Sequence, residues 1–204
     1  MDKHVIINIG RQFGSGGKSV AEVLGRRLGI PVYDNELLTK AAEQSGLNPD
    51  LFRRSDEHKS VLGIGSVFSS NRFGGFTQSG ITDSALFQIQ SDAIRSIAEK
   101  EDAIFVGRAS DYVLRDMDCL DVFICAPADV RKKLVAEREG ISEEEALQLI
   151  ARRDRGRAAY YNYMTLGDWG VASNYDLCID SSVLGFEGTA DTIIEFARKK
   201  GWEI

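Results

Sequence analysis

The residues of this chain best equipped for chemistry lie close to its N-terminus, in Gly14-Ser15-Gly16-Gly17-Lys18-Ser19. Glycines let consecutive backbone N–H groups turn inward and approach phosphate oxygens closely, and a helix beginning there adds the positive end of its dipole. Lys18 would then reach the β- and γ-phosphates of a nucleotide, and the Ser19 hydroxyl would be offered to Mg²⁺. The usual spacing is broken at one point, because Gln12 occupies the first glycine position of the pattern. That residue is accommodated if the backbone there needs no positive φ. The competing use of so glycine-rich a run is a strand-to-helix turn that only packs tightly.

A second concentration of reactive types is Arg152-Arg153-Asp154-Arg155-Gly156-Arg157, four arginines within six residues of a chain that is acidic as a whole. Arginine suits forked hydrogen bonding to phosphate and keeps its charge. Arg153 and Arg157 share a face if a helix continues through them. The competing use is a solvated cationic face balanced by Glu143, Glu144 and Glu145. Arg108 ends an apolar run, where open α/β sheets bind ligands, or else it pairs at the surface with an acid such as Asp111. His4 and His58 stand apart from Cys or Asp at ligand spacing, which argues against zinc.

Regular elements must position these groups, and the hydrophobic pattern supplies them. Residues 5–9, 32–33, 103–106, 122–126 and 177–179 are short, nearly continuous apolar runs, as expected of parallel strands covered on both faces. Between them Val20, Val23, Leu24 and Leu28 recur at helical spacing, as do Leu86, Ile89, Ala93 and Ile97, and Ala190, Ile193, Ile194 and Ala197. These stripes belong to the core. Pro127 can open a helix, and Ser142 with Glu145 forms a capping-box pattern for the next. The sequence is therefore α/β, one domain over 1–204. Residues 60–84, rich in Gly and Ser, are expected to be a flexible insertion.

The 31 acidic residues outnumber the 25 basic ones, for a net charge of −6, so no broad basic face for nucleic acid is expected. The apolar N-terminal run is too short for a signal peptide and no run reaches membrane-spanning length, making cytoplasm the default. Cys119, Cys125 and Cys178 are odd in number and lack C-x-x-C spacing, and are expected to be reduced, buried thiols.

These segments resemble the cytidylate kinase-like family nearly from end to end. Residues 14–34, closing on Ile30-Pro31-Val32-Tyr33-Asp34, match its opening. Phe105-Val106-Gly107-Arg108 is similar to the segment where the family carries Asp-Gly-Arg-Asp, with Val106 and Ala109 in place of the acids. The arginine cluster resembles the family's lid, and Tyr175 to Ser182 looks like its last strand and the turn beside the adenine, where Asp180 either organises the turn or touches ligand. Tyr160-Tyr161-Asn162-Tyr163 is either lid packing or a stacking platform.

The resemblance implies a three-layer P-loop NTPase fold with a lid over 150–170 and with 60–84 on the acceptor side. It implies ATP as phosphoryl donor, Mg²⁺ as cofactor, and a nucleoside monophosphate such as CMP as acceptor. Small-molecule nucleotides are then the partners, with no nucleic acid or membrane, and the oligomeric state is left open. Asp34, Lys40, Arg108, Asp154 and Arg157 would hold the acceptor, and Lys18, Arg153 and Arg157 would act on the transferring group. The rival readings are a kinase of another small metabolite and a nucleotide-binding regulatory module with little turnover.

Overall fold

The apolar run that follows His4 becomes the central strand of a parallel sheet. The computed structural model describes residues 4–38 and 83–204. Its strands are β1 (Ile6–Arg11), β2 (Val32–Tyr33), β3 (Ala103–Val106), β4 (Leu120–Cys125) and β5 (Leu177–Asp180). They lie in the order β2-β3-β1-β4-β5, all parallel, with Ile7 opposite Ile104 and Leu120. The order turns about β1, so its two neighbours come from later in the chain and a crevice opens at its C-terminal end.

Alternation along β1 divides the core. Ile7 and Ile9 face α1 (Gly17–Leu28) and α6 (Ser181–Lys199), packing with Val20, Leu24, Ile193 and Ala197. Ile6 faces the other way, toward α2 (Asp83–Ala98) and the single turn α3 (Ser110–Val113), with Phe105, Ile94 and Leu114. The expected helical stripes fall on these buried faces, and the parallel sheet between helices is the α/β arrangement the pattern predicts. Burial of both sheet faces supplies most of the stabilisation, at about 25 cal/mol per Å² of apolar area removed from water.

A helical hairpin completes the structure. α4 (Ala128–Glu139) follows Pro127, which stands one residue ahead of the helix, and ends at Gly140 in the left-handed region. α5 (Glu143–Thr165) starts with the full capping box: Glu145 N donates to Ser142 Oγ at 3.2 Å, and Ser142 N donates to Glu145 Oε2 at 2.9 Å. It then runs 23 residues, straight through the arginine cluster. Val135, Ala146 and Ile150 form a small core of their own, and Phe13 packs against it, tying the hairpin to the segment after β1.

Asp83 and Ser84 already belong to α2, while the rest of the 60–84 stretch and Lys40 lie outside the described residues. Cys119, Cys125 and Cys178 are all free thiols, but the expectation of burial holds only at Cys119: Cys125 is half-buried and Cys178 is exposed. β5 is an edge strand whose neighbour Ile179 takes the inward position, so the pleat turns Cys178 out. No helix among the described residues is long and apolar enough to cross a membrane.

Candidate active site

The segment between β1 and α1 is held from below. Gln12 N donates to the Ile124 carbonyl at 3.0 Å, and Gln12 Oε1 accepts from Ala126 N at 3.2 Å, so the side chain in the glycine position stitches the loop to β4. Gln12 is not among the residues with positive φ, which removes the need for glycine there. The buried Ser15 hydroxyl lies 3.0 Å from the carbonyls of both Gln12 and Ile124, and Ser181 Oγ donates to Ser15 O at 2.6 Å. Gly14 and Gly16 take φ of 81° and 75°, conformations costly for any residue with a Cβ. A methyl group at Gly16 would also collide with the Phe186 ring, which packs against the loop from α6. The result is a fixed turn opening onto the N-terminus of α1.

Lys18 and Ser19 occupy the first turn of that helix. Lys18 Nζ donates to Asp34 Oδ2 at 2.9 Å, and Asp34 Oδ1 also accepts from the amides of Glu36 and Leu37. That hydrogen bond and the charge of Asp34 raise the Lys18 ammonium above its ordinary value. Burial alone would raise the Asp34 carboxyl; the bonds from Lys18 and the two amides outweigh it and hold the group below the usual aspartate range. The Ser19 hydroxyl makes no side-chain hydrogen bond with the described residues.

Across the crevice, β3 is followed by Gly107, Arg108 and Ala109, with φ of 76°, 61° and 52°. Two of these three successive left-handed residues carry a Cβ, an arrangement that costs roughly 1–2 kcal/mol at each and is retained where surrounding structure over-determines it. It aims Arg108 away from Asp111. The guanidinium lies 5.2 Å above the Tyr160 ring, while Asp111 accepts from the Tyr161 hydroxyl at 2.7 Å. Tyr160 and Tyr161 are thus packing residues of α5, and Tyr163 is exposed.

The lid arginines divide into roles. Arg157 Nη1 donates to the Arg11 carbonyl at 2.8 Å, and burial, opposed by Asp154 and reinforced by Arg153, lowers its guanidinium to about 10. Arg153, exposed, lies 5.8 Å from the centre of the Phe13 ring, and Arg157 and Arg138 lie at 5.5 and 4.9 Å from it. Asp154 points inward: Oδ1 accepts from Phe13 N at 2.7 Å and Oδ2 from Arg131 Nη1 at 2.7 Å. Arg131, 8% exposed, also donates to the carbonyls of Ala126 and Phe13. Asp180 caps α6, accepting from Ser182 N and Oγ.

The structure therefore brings Lys18, Ser19 and Asp34 together at one wall and Arg108 and Arg157 near the other. Sequence reasoning missed Arg11, Phe13 and Arg131. Arg11 carries a signal in hindsight, a cation ending an apolar strand just before the glycine-rich loop. Phe13 and Arg131 carry none, since their partners are set by packing. The fixed amides, one ammonium and several guanidinium groups can hold anionic oxygens from several sides and supply no general base or nucleophile. Magnesium fits as it commonly does beside phosphates, on one unengaged hydroxyl with phosphate oxygens and water completing the shell.

Known proteins share this family and this fold. The model of the cytidylate kinase-like family matches residues 6–183. The cytidylate kinase of Sulfolobus acidocaldarius is 30% identical over 188 residues, covering 92% of this chain and 91% of that protein. The cytidylate kinase of Methanopyrus kandleri is 28% identical over 188 residues, 87% and 85% of the two chains. A crystal structure of a protein from Eubacterium ventriosum, 29% identical, superposes with a TM-score of 0.67 over 95% of this chain and 98% of that one. Shikimate kinase from Bacteroides thetaiotaomicron, 14% identical with a TM-score of 0.54 over 95% and 98% of the chains, shares the fold.

Proposed function

The chain belongs to the cytidylate kinase-like family, and from that premise we propose that it is an ATP-dependent phosphotransferase whose acceptor is a nucleoside monophosphate, CMP first among them. The observation that carries this reading is the fixed loop over residues 12–16, leading into α1 and facing Arg108, Arg153 and Arg157, which form no ion pair among the described residues. ATP places its phosphates on the amides of 14–19, and Lys18 exchanges Asp34 for phosphate oxygen. An oxygen of the acceptor phosphate bonds to the terminal phosphorus while the bond to the bridging oxygen of ADP breaks, that oxygen keeping the electron pair. The acceptor is already an anion, so no base is needed.

Arg108 holds the acceptor phosphate, with Asp34 and Lys40 completing that side, and Arg153 and Arg157 neutralise charge on the transferring group. We assign Asp154 to loop positioning, because both of its oxygens are engaged inside the protein. Ser19 would hold Mg²⁺, which when bound neutralises charge between the β- and γ-oxygens. Val106 and Ala109, standing where cytidylate kinases carry acids beside the arginine, favour a different small phosphorylated acceptor as the second reading.

ADP release from ATP and Mg²⁺ with a panel of CMP, UMP, dCMP, AMP, GMP and non-nucleotide acceptors tests both. The expected outcome is release that depends on the acceptor, fastest with a pyrimidine monophosphate. Release equal in all wells, including the one without acceptor, contradicts the transferase reading.

A further inference from the structure

Resting on the kinase reading, we propose that Arg11 is a phosphate-contacting residue of the reaction, its guanidinium gripping the terminal, transferred phosphoryl of the donor between the 14–19 loop and the Gly107–Arg108 turn. Arg11 ends β1 at the crevice. Its stem lies across the start of α1, where a methyl group on Gly17 would come within 2.6 Å of Arg11 Cβ. Its head reaches the opposite wall, where a methyl group on Gly107 would overlap Nη1 and stand 2.9 Å from Cζ. Two glycines, one from the donor side and one from the acceptor side, thus leave room for this one side chain. That places the guanidinium between the two phosphate holders, where the phosphoryl group must pass.

The charge on Arg11 is left unanswered among the described residues. Among the described residues its guanidinium has no carboxylate, carbonyl or hydroxyl partner, while Arg157 holds its carbonyl oxygen. Arg157 and Arg108 act on it as like charges, and among the described residues the acid that opposes them, Asp34, is bonded to Lys18. Burial first, then those two arginines, lower Arg11 to about 9, still above neutral pH. Three guanidinium groups gathered in a half-buried crevice repel one another, and an anion placed between them removes that repulsion. A tetrahedral phosphoryl group with three equatorial oxygens satisfies that arrangement, and the planar fork of Arg11 can take two of them.

In the step it serves, the terminal phosphorus leaves the bridging oxygen of ADP, which keeps the electron pair, and joins an oxygen of the acceptor phosphate. Arg11 therefore contacts a group that ATP has and ADP lacks. Calorimetric titration of wild type, Arg11→Gln and Arg11→Lys with magnesium–ADP and with magnesium–AMP-PNP separates these. Arg11→Gln is expected to bind ADP within about twofold of wild type and AMP-PNP about tenfold or more weakly, the loss of one charge-assisted contact. Arg11→Lys is expected to fall between them. If Arg11→Gln does not fold, the Lys variant decides, and wild-type affinity for AMP-PNP overturns the proposal. Equal affinities for AMP-PNP in wild type and Arg11→Gln, or an equal loss for both nucleotides, overturn it while leaving the kinase reading in place. Wild type that binds neither nucleotide removes both.

Discussion

Arg153 and Arg157 stand one helical turn apart, yet alanine at the two positions tests different things. Arg153 is exposed, so Arg153→Ala should move stability by at most about 0.5 kcal/mol. If it closes on the transferring phosphoryl, kcat falls about a hundredfold, with Arg153→Lys recovering part of the loss. Arg157→Ala also removes the bond to the Arg11 carbonyl and should cost about 1 kcal/mol more, visible in thermal melts beside the same loss of kcat. Asp154 belongs to a third case. Asp154→Ala leaves the largely buried Arg131 without its carboxylate and frees the Phe13 amide, so urea unfolding should show a loss of about 3–5 kcal/mol. A loss below about 1 kcal/mol would return Asp154 to the ligand. The cluster itself is legible in the sequence because four arginines in six residues are conspicuous. Which of its members face inward is not, since that depends on where Phe13 and Arg131 pack.

At the scale of elements, the turn after β3 is the most constrained piece of the site. Gly107 has φ of 76° and lies against the Arg11 head, so Gly107→Ala meets both a backbone penalty and a clash. The backbone term is about 1–2 kcal/mol, and displacement of Arg11 and Arg108 should raise the acceptor KM at least tenfold while the chain still melts cooperatively. Unchanged KM values would mean that the turn does not shape the acceptor side. The order of strands and helices is legible because strands buried on both faces read as unbroken apolar runs and helices show their 3.6-residue stripe. The left-handed run Gly107, Arg108, Ala109 is not, because neither Arg nor Ala marks positive φ. The capping box at Ser142 is legible to the residue, since its signal is local.

For the molecule as a whole, the polar interior beneath β4 sets a pH dependence that the active site does not. Asp121 is half-buried; burial raises its carboxyl to about 6, Asp111 and Asp176 adding to the rise and Asn8 and Lys200 opposing it. Asn8 Nδ2 donates to Asp121 Oδ1 at 2.8 Å, but Asn8 Oδ1, wholly buried, has no hydrogen-bond partner among the described residues. Because its folded value sits above that of an unfolded aspartate, the folded chain holds the extra proton. The stabilisation is complete below about pH 4 and is lost as pH rises through about 6. Asp121→Asn should remove that dependence and stabilise the protein at pH 7 by about 1–3 kcal/mol, read from unfolding curves at pH 5 and 7. The same slope in variant and wild type would assign the dependence elsewhere. Function at this scale reduces to transfer of one phosphoryl group, and following it directly is the most searching test. With ATP, Mg²⁺ and CMP, ³¹P NMR should show CDP and ADP growing in equal amounts as CMP and ATP fall, and Lys18→Ala, folded, should show neither; inorganic phosphate as the product, or CDP formed equally by the variant, would contradict the account.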